Sequence, residues 1–181
     1  MTLPIAEHAF WKERLDAALA RGQLHESIYV VSPSEWSHIQ EAHRVVLRDL
    51  LQPGQRVLDG GCGYGALVDV LPEGLDYTGV DFMPEFVDLA KILHPGRAFL
   101  LGDLRNLPFP DNHFDVAICR SMEGMVVGNL GDAAWKAMEC ELLRVAPTLL
   151  LLSYSAPEAA VIHGVPLSDA ISRTAFPIGY D

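Results

Sequence analysis

The stretch VLDGGCGYGALVDVL, residues 57–71, restricts the fold of this chain more than any other part of its sequence. Apolar residues lead into Asp59, and glycines then occupy positions 60, 61, 63 and 65. Glycine has no side chain, so the backbone can turn sharply there and approach a ligand closely. A plain strand-to-helix turn needs fewer glycines. The pattern therefore predicts a strand that ends in a ligand-binding loop, followed by a helix over YGALVDVL.

Strand and helix patterns alternate from Gln55 onward. Strands are predicted at QRVLDG, DYTGVDF, AFLLGD, FDVAICR and TLLLLSY, and further helices at PEFVDLAKIL, which begins at Pro84, and GDAAWKAMECELLRV. NLPFPDNH is predicted as a loop. The strands are apolar on both faces, as a covered parallel sheet requires. With right-handed crossovers, this order predicts a doubly wound, mostly parallel α/β sheet.

The first 54 residues are predicted to be helical and to form a lid or cap segment, with the α/β core at 55–181 and one compact domain overall. One helix is expected to begin at SPSEW, where Ser32 and Glu35 form a capping box around Pro33. After Ser155 the tail is short, and we expect at most a short helix there. That leaves a sheet edge, which a homodimer or the tail itself could cover.

Composition and charge favour a small-molecule substrate. The net charge is -11, and no run of basic residues stands out, which disfavours nucleic acid and anionic membranes as partners. No stretch reaches the ~20 apolar residues of a membrane span. The three cysteines, Cys62, Cys119 and Cys140, match no metal motif. We therefore expect free thiols, no metal site and a cytoplasmic location.

The glycine loop fits more than one cofactor class. GCGYGA, with Ala66 last, satisfies the loose dinucleotide pattern, so a nicotinamide-dependent oxidoreductase is one alternative. Asp59 argues against it, because a carboxylate directly before the loop would repel a pyrophosphate. The same carboxylate suits a cofactor that carries a cationic group and no phosphate.

Four motifs in three segments together resemble the class I S-adenosylmethionine-dependent methyltransferases, closest to the small-molecule branch that includes ubiquinone/menaquinone-type C-methyltransferases. The segments are VLDGGCGYG, YTGVDFMPEFVDLA with Asp81 22 residues after Asp59, and GDLRNLPFPDNHFDVAICRSM, which covers two motifs. The resemblance spans roughly residues 55–155 and implies a Rossmann-like fold with S-adenosyl-L-methionine as cofactor. RSMEGM stands where nucleic-acid N-methyltransferases carry an N/D-P-P-aromatic signature, which argues against that class.

The resemblance also implies roles for individual residues. Asp81 should accept hydrogen bonds from both ribose hydroxyls, Asp103 should bind the adenine amino group, and the Leu104 N–H should reach the adenine ring. The glycine loop should pass beneath the methionine part, with Asp59 near its amino-acid end. The remaining residues expected around the cofactor are Gly60, Gly61, Cys62, Gly63, Gly65, Phe82, Met83, Gly102, Arg120 and Ser121.

In-line methyl transfer needs an aligned nucleophile and, for some acceptors, a base. Glu123, in the predicted loop after the fourth strand, is the first candidate base. His43 is the second, although its place on the apolar face of its helix favours a core histidine. The leading hypothesis is a small-molecule methyltransferase. The alternative is a non-catalytic protein that binds S-adenosylmethionine or S-adenosylhomocysteine in a shortened version of the same fold.

Overall fold

The structure is a computed structural model that describes residues 5–154 and 160–164. The described helices are α1 (Ile5–Arg21), α2 (Leu24–Tyr29), α3 (Pro33–Leu50), α4 (Pro84–Leu93), α5 (Glu123–Leu130) and α6 (Asp132–Val145). The described strands are β1 (Arg56–Gly60), β2 (Asp76–Asp81), β3 (Ala98–Leu101), β4 (Val116–Arg120), β5 (Thr148–Leu152) and β6 (Ala160–Gly164).

The strands form one sheet in the order β3-β2-β1-β4-β5-β6. The first five run parallel, and β6 pairs with β5 in the antiparallel sense. Strand order reverses between β1 and β4, because the chain builds outward from β1 to β3 and then returns to the other side. Ligands of open α/β sheets bind outside the carboxyl ends of the strands at such a point.

Helices cover both faces of the sheet, which confirms the predicted doubly wound α/β class. On one face, Leu58 packs in a cluster with Trp135 and Leu142 of α6. On the other face, Val57 packs with Leu47 of α3. Successive residues of a strand point to opposite faces, so β1 must be apolar at consecutive positions to be buried on both sides.

The predicted helix over YGALVDVL is wrong. The chain makes turns there and a 3-10 helix at Val68–Val70 only. Gly65 has a φ of +85°, which a right-handed helix cannot contain, and Leu71 is already extended before Pro72. Only a few residues remain between these two points, too few for an α-helix.

Two elements were not predicted. α5 begins directly after β4, and β6 lies in the part of the tail for which at most a short helix was expected. β6 pairs with β5 and covers its free edge. Of the two alternatives that the sequence left open for covering this edge, a homodimer or the tail, the described residues show the tail. The rest of the predicted tail, 155–159 and 165–181, lies outside the described residues.

The chain divides into two compact units, Met1–Glu41 and Ala42–Asp181. In the first unit, Trp36 stacks with Tyr29 at 4.9 Å between ring centroids. The capping box of α3 is confirmed: the Ser32 N–H donates to Glu35 Oε2 at 2.8 Å, and the Glu35 N–H donates to Ser32 Oγ at 3.3 Å. The lid role expected for residues 1–54 stays a prediction.

None of the helices in residues 5–154 is long and apolar enough to cross a membrane.

Candidate functional site

Three charged side chains are buried at the carboxyl ends of neighbouring parallel strands. Asp59 of β1, Asp81 of β2 and Arg120 of β4 are 2%, 5% and 8% exposed. Charged groups are rarely buried to this degree unless they have partners or a function. The order β2-β1-β4 brings the ends of the three strands to one edge of the sheet. The sequence predicted all three as site residues, and the fold brings them to this edge.

Asp81 is held by the backbone of two segments. The Gly63 N–H donates to Oδ2 at 2.8 Å, and the Met83 N–H donates to Oδ1 at 2.9 Å. Burial raises the pKa of Asp81 to about 6, and the backbone N–H groups of Met83, Gly63 and Phe82 act in the opposite direction. Each carboxylate oxygen can accept more than one hydrogen bond, so both oxygens keep capacity for a ligand hydroxyl.

Asp59 has a partner that the sequence did not reveal. The Tyr77 hydroxyl donates to Asp59 Oδ2 at 2.8 Å. Gly79 lies opposite Asp59 in the sheet, and a Cβ at Gly79 would come within 2.9 Å of the Tyr77 hydroxyl oxygen. Burial raises the pKa of Asp59 to about 6, while the charge of Arg120 and then the Tyr77 hydrogen bond lower it. Register decides this contact, and register cannot be read from the sequence.

The glycine loop bends through positive φ at Gly61 (+75°), Gly63 (+54°) and Gly65 (+85°). The N–H groups of Gly61 and Cys62 both donate to Val80 O, at 2.8 and 3.1 Å. These bonds tie the loop to the end of β2. Positive φ explains why side chains are disfavoured at the three positions.

Side chains of the protein itself pack against several predicted cofactor glycines. A Cβ at Gly65 would meet the His94 ring at 2.7 Å, and one at Gly102 would meet Val80 at 2.8 Å. A Cβ at Gly60 would lie 3.1 Å from Leu142. Cys62, predicted near the cofactor, is buried in the cluster formed with Tyr77, Val87, Ala90 and Phe99. The absence of a side chain at these glycines therefore also leaves room for neighbouring side chains of the protein itself.

Asp103 and Leu104 follow β3. The Arg105 guanidinium binds both Asp103 oxygens, with Nε to Oδ1 at 2.9 Å and Nη2 to Oδ2 at 2.6 Å. These hydrogen bonds, more than any other contact, hold the pKa of Asp103 below its ordinary value. Leu104 is buried, and its side chain lies against Gly60. Phe82 is half-buried, and Met83 is fully buried.

The end of β4 is fastened to the end of β5. Ser121 adopts a left-handed conformation (φ +54°), which is uncommon for a residue with a side chain. Its N–H donates to Leu152 O at 2.8 Å, and its Oγ accepts from the Tyr154 N–H at 2.9 Å. The Arg120 guanidinium lies 5.4 Å from the Tyr154 ring centroid. Strained backbone of this kind is characteristic of functional sites.

The two candidate bases occupy different environments. Glu123 is the first residue of α5, so the predicted loop position is wrong, and the side chain is half-buried there. It remains close to the end of β4, where its charge acts on Cys119. His43 is fully buried, with Nε2 3.2 Å from Ser153 O, as the core interpretation expected.

The LPFPD motif, part of the family resemblance, is anchored by α6. Arg144 donates to Asp111 Oδ1 at 2.8 Å and to Phe109 O at 2.9 Å. Glu141 accepts from the Leu107 N–H at 2.8 Å and also pairs with Arg144. These bonds fix the course of the loop between β3 and β4.

The site combines two buried carboxylates with one buried guanidinium. A phosphate would face both carboxylates, which is unfavourable. Hydroxyl groups and a cationic centre suit the carboxylates, and a ligand carboxylate suits Arg120. The residues present therefore fit a ligand with a ribose diol and an amino-acid end.

Comparison with known proteins adds independent findings. The family described as "Methyltransferase domain" matches residues 58–145. Phthiotriol/phenolphthiotriol dimycocerosates methyltransferase of Mycobacterium leprae is 38% identical over 87 residues, 45% of this chain and 32% of the relative. Fatty-acid O-methyltransferase of Mycolicibacterium smegmatis is 36% identical over 70 residues, 36% of this chain and 26% of the relative. The matched segments thus span a third or less of these curated relatives.

Among solved structures, a SAM-dependent methyltransferase from Methanosarcina mazei aligns with a TM-score of 0.51 at 25% identity, over 59% of this chain and 55% of that one. This similarity confirms the predicted Rossmann-like fold. The narrower expectation of a ubiquinone/menaquinone-type branch stays a prediction, because the two curated relatives are named for phthiotriol/phenolphthiotriol dimycocerosates and for a fatty acid.

Proposed function

We propose that this chain is an S-adenosylmethionine-dependent methyltransferase that transfers a methyl group to a small-molecule acceptor of lipid type. Residues 58–145 match a methyltransferase-domain family, and the SAM-dependent methyltransferase from Methanosarcina mazei shares the fold. These similarities support the predicted enzyme class and the predicted cofactor, S-adenosyl-L-methionine. The observation that carries the proposal for this chain is the Asp81 carboxylate, buried at the end of β2 and held by the glycine loop.

Asp81 orients the cofactor. Its two oxygens are fixed by the Gly63 and Met83 N–H groups, so they stand ready to accept one ribose hydroxyl each. Burial of an ionised carboxylate costs free energy in the free protein, and hydrogen bonds donated by ligand hydroxyls offset part of that cost. Asp103, half-exposed and ionised beside Arg105, accepts from the adenine amino group, and the Leu104 N–H reaches the ring.

Asp59 and Arg120 form a pair of opposite charges at the amino-acid end of the site. Arg120 lowers the pKa of Asp59, which shows that the two charges act on each other. An ammonium group suits Asp59, and a carboxylate suits Arg120. When bound, S-adenosylmethionine supplies an electrophilic methyl group on a sulfonium. The residues of this chain bind it, orient it and exclude water.

The acceptor is proposed from the relatives and from the composition of α5. One relative is named a fatty-acid O-methyltransferase and another is named for phthiotriol dimycocerosates. α5, EGMVVGNL, follows β4 and carries half-buried Val127 and Leu130 three residues apart on one helix face, an apolar surface that suits an acyl chain. We assign Glu123, at the start of α5, as the base that takes the proton of a hydroxyl acceptor. A carboxylate acceptor needs no base.

The first experiment is calorimetric titration with S-adenosylmethionine and S-adenosylhomocysteine. Asp81→Asn keeps the side-chain volume and one acceptor oxygen. Hydrogen bonds to charged groups are worth about 1.5–3 kcal/mol each, so we expect at least about tenfold weaker binding. Asp76→Asn is the matched control, since Asp76 lies exposed at the opposite end of the same strand and should leave affinity unchanged.

The outcomes separate the alternatives. If the folded wild type binds neither compound, or if Asp81→Asn binds as tightly as the wild type, the proposed site is wrong. Binding followed by release of S-adenosylhomocysteine in the presence of a medium-chain fatty acid or fatty alcohol supports the acceptor class. Binding without transfer to any such acceptor would instead favour the non-catalytic alternative.

A further inference from the structure

The space beside Gly61, the first glycine after β1, is filled by the side chain of a methionine of the same chain. Gly61 has a φ of +75°, and a Cβ added there would overlap the Met122 sulfur. The same Cβ position lies 3.0 Å from Met122 Cε and 3.3 Å from Met122 Cγ. The thioether of Met122 therefore rests directly on the bare backbone of Gly61.

The backbone around Met122 is fixed on both sides. Ser121, just before it, is bound to β5 through Leu152 O and the Tyr154 N–H. The Met122 carbonyl accepts from the Val126 N–H at 2.8 Å in the first turn of α5. Movement at this position is therefore confined to the side chain. The Met122 side chain is flexible and half-buried, with solvent on one side, so it can leave without unfolding its neighbours.

Met122 and the cofactor carry the same chemical group. The methionine side chain is a two-carbon chain ending in a methyl-bearing sulfur, and the methionine part of S-adenosylmethionine is built on that chain. Under the proposed function, this part of the cofactor passes over the glycine loop. Two such chains cannot occupy one volume above Gly61.

We propose that Met122 occupies the position of the cofactor's methionine part in the free protein, and that its departure sets the affinity and selectivity for ligands with an amino-acid chain. This inference rests on the proposed function and assigns Met122 a role in it. Adenosine has no amino-acid chain and leaves Met122 in place. S-adenosylhomocysteine must displace the Met122 side chain. The protein then loses the contacts that this side chain makes with Gly61 and with the cluster around Trp135.

The test compares two ligands and three proteins. We expect Met122→Ala to bind S-adenosylhomocysteine about tenfold more tightly than the wild type, a change of about 1.4 kcal/mol. Affinity for adenosine, followed by NMR titration, should stay within twofold. Met125→Ala is the matched control: it is a second half-buried methionine packed on the same cluster, but it is not among the nearest contacts of Gly61, and it should change neither affinity.

Four results would overturn the proposal. Weaker S-adenosylhomocysteine binding by Met122→Ala would mean that Met122 contacts the bound cofactor. Unchanged binding would mean that Met122 has no effect on the affinity. Equal changes for both ligands would indicate a structural effect on the whole site. If Met125→Ala strengthened S-adenosylhomocysteine binding as much as Met122→Ala does, the effect would come from looser packing of the whole cluster. Failure of the proposed function differs from all of these, because the wild type would then bind neither ligand.

Discussion

Asp59 should weaken the fold while it serves the site, and Asp59→Asn should reveal this. Its pKa lies near 6 in the folded protein against 3.8 for an ordinary aspartate. One pKa unit corresponds to about 1.36 kcal/mol, so ionised Asp59 costs the folded state about 3 kcal/mol at neutral pH. An asparagine keeps the acceptor for the Tyr77 hydroxyl and removes the buried charge.

The pKa near 6 already includes the attraction of buried Arg120, which lowers it. The cost of about 3 kcal/mol is therefore a net cost, and we expect Asp59→Asn to be about 3 kcal/mol more stable than the wild type near pH 7.5. The same substitution should weaken S-adenosylmethionine binding, because the ammonium group loses its counter-charge.

The pH dependence is the sharper signature. Because the pKa of Asp59 is raised by folding, its contribution to stability is present in full below about pH 4 and is lost as pH rises through 6. Lowering the pH from about 7.5 to about 4.5 should therefore shrink the advantage of Asp59→Asn by about 2 kcal/mol. Urea denaturation of both proteins at the two pH values measures this difference.

Asp115→Asn provides a control of opposite sign. The Arg56 side chain holds the pKa of Asp115 below its ordinary value, so this carboxylate stabilises the fold above its unfolded pKa. Asp115→Asn should be less stable than the wild type near neutral pH, and its deficit should shrink on acidification. A destabilised Asp59→Asn, or a gain that does not depend on pH, would refute the reasoning about burial.

Two further predictions concern the scaffold. Arg144→Met should lower the melting temperature by a few degrees, as measured by circular dichroism, because the loop from Leu107 to Asp111 loses its bonds to α6, and an unchanged melting temperature would contradict this. Ser32→Ala should cost about 1 kcal/mol in urea denaturation, because the capping box at the start of α3 is lost, whereas Ser37→Ala, further along that helix, should cost less.

The sequence predicted elements well where a residue restricts the backbone directly. Pro84 marks the start of α4, and the Ser32 capping box marks the start of α3, because proline and a capping pair act locally. The YGALVDVL helix failed because the left-handed φ of Gly65 is imposed by the loop. α5 was missed because EGMVVGNL is apolar without helical periodicity and carries two glycines.

The site was predictable as far as it depends on strand ends. Asp59, Asp81 and Arg120 follow from the rule that parallel strands end at one edge of the sheet. Tyr77 and Met122 were missed for a different reason. Tyr77 reaches Asp59 only because Gly79 stands opposite, and Met122 reaches Gly61 only because Ser121 is left-handed. Both contacts depend on strand register and backbone conformation in three dimensions.

The pairing of β1 with β4 also has a kinetic consequence. Arg56 and Asp115 meet at the start of these strands although they are 59 positions apart in the chain. Contacts between distant positions form slowly, because a long loop must close before they add stability. Asp59 and Arg120 belong to this pair of strands, so the amino-acid end of the site assembles only when the centre of the sheet has closed. Recovery of cofactor binding during refolding should therefore report the late, long-range step, after α4 and β3 have already packed against β2.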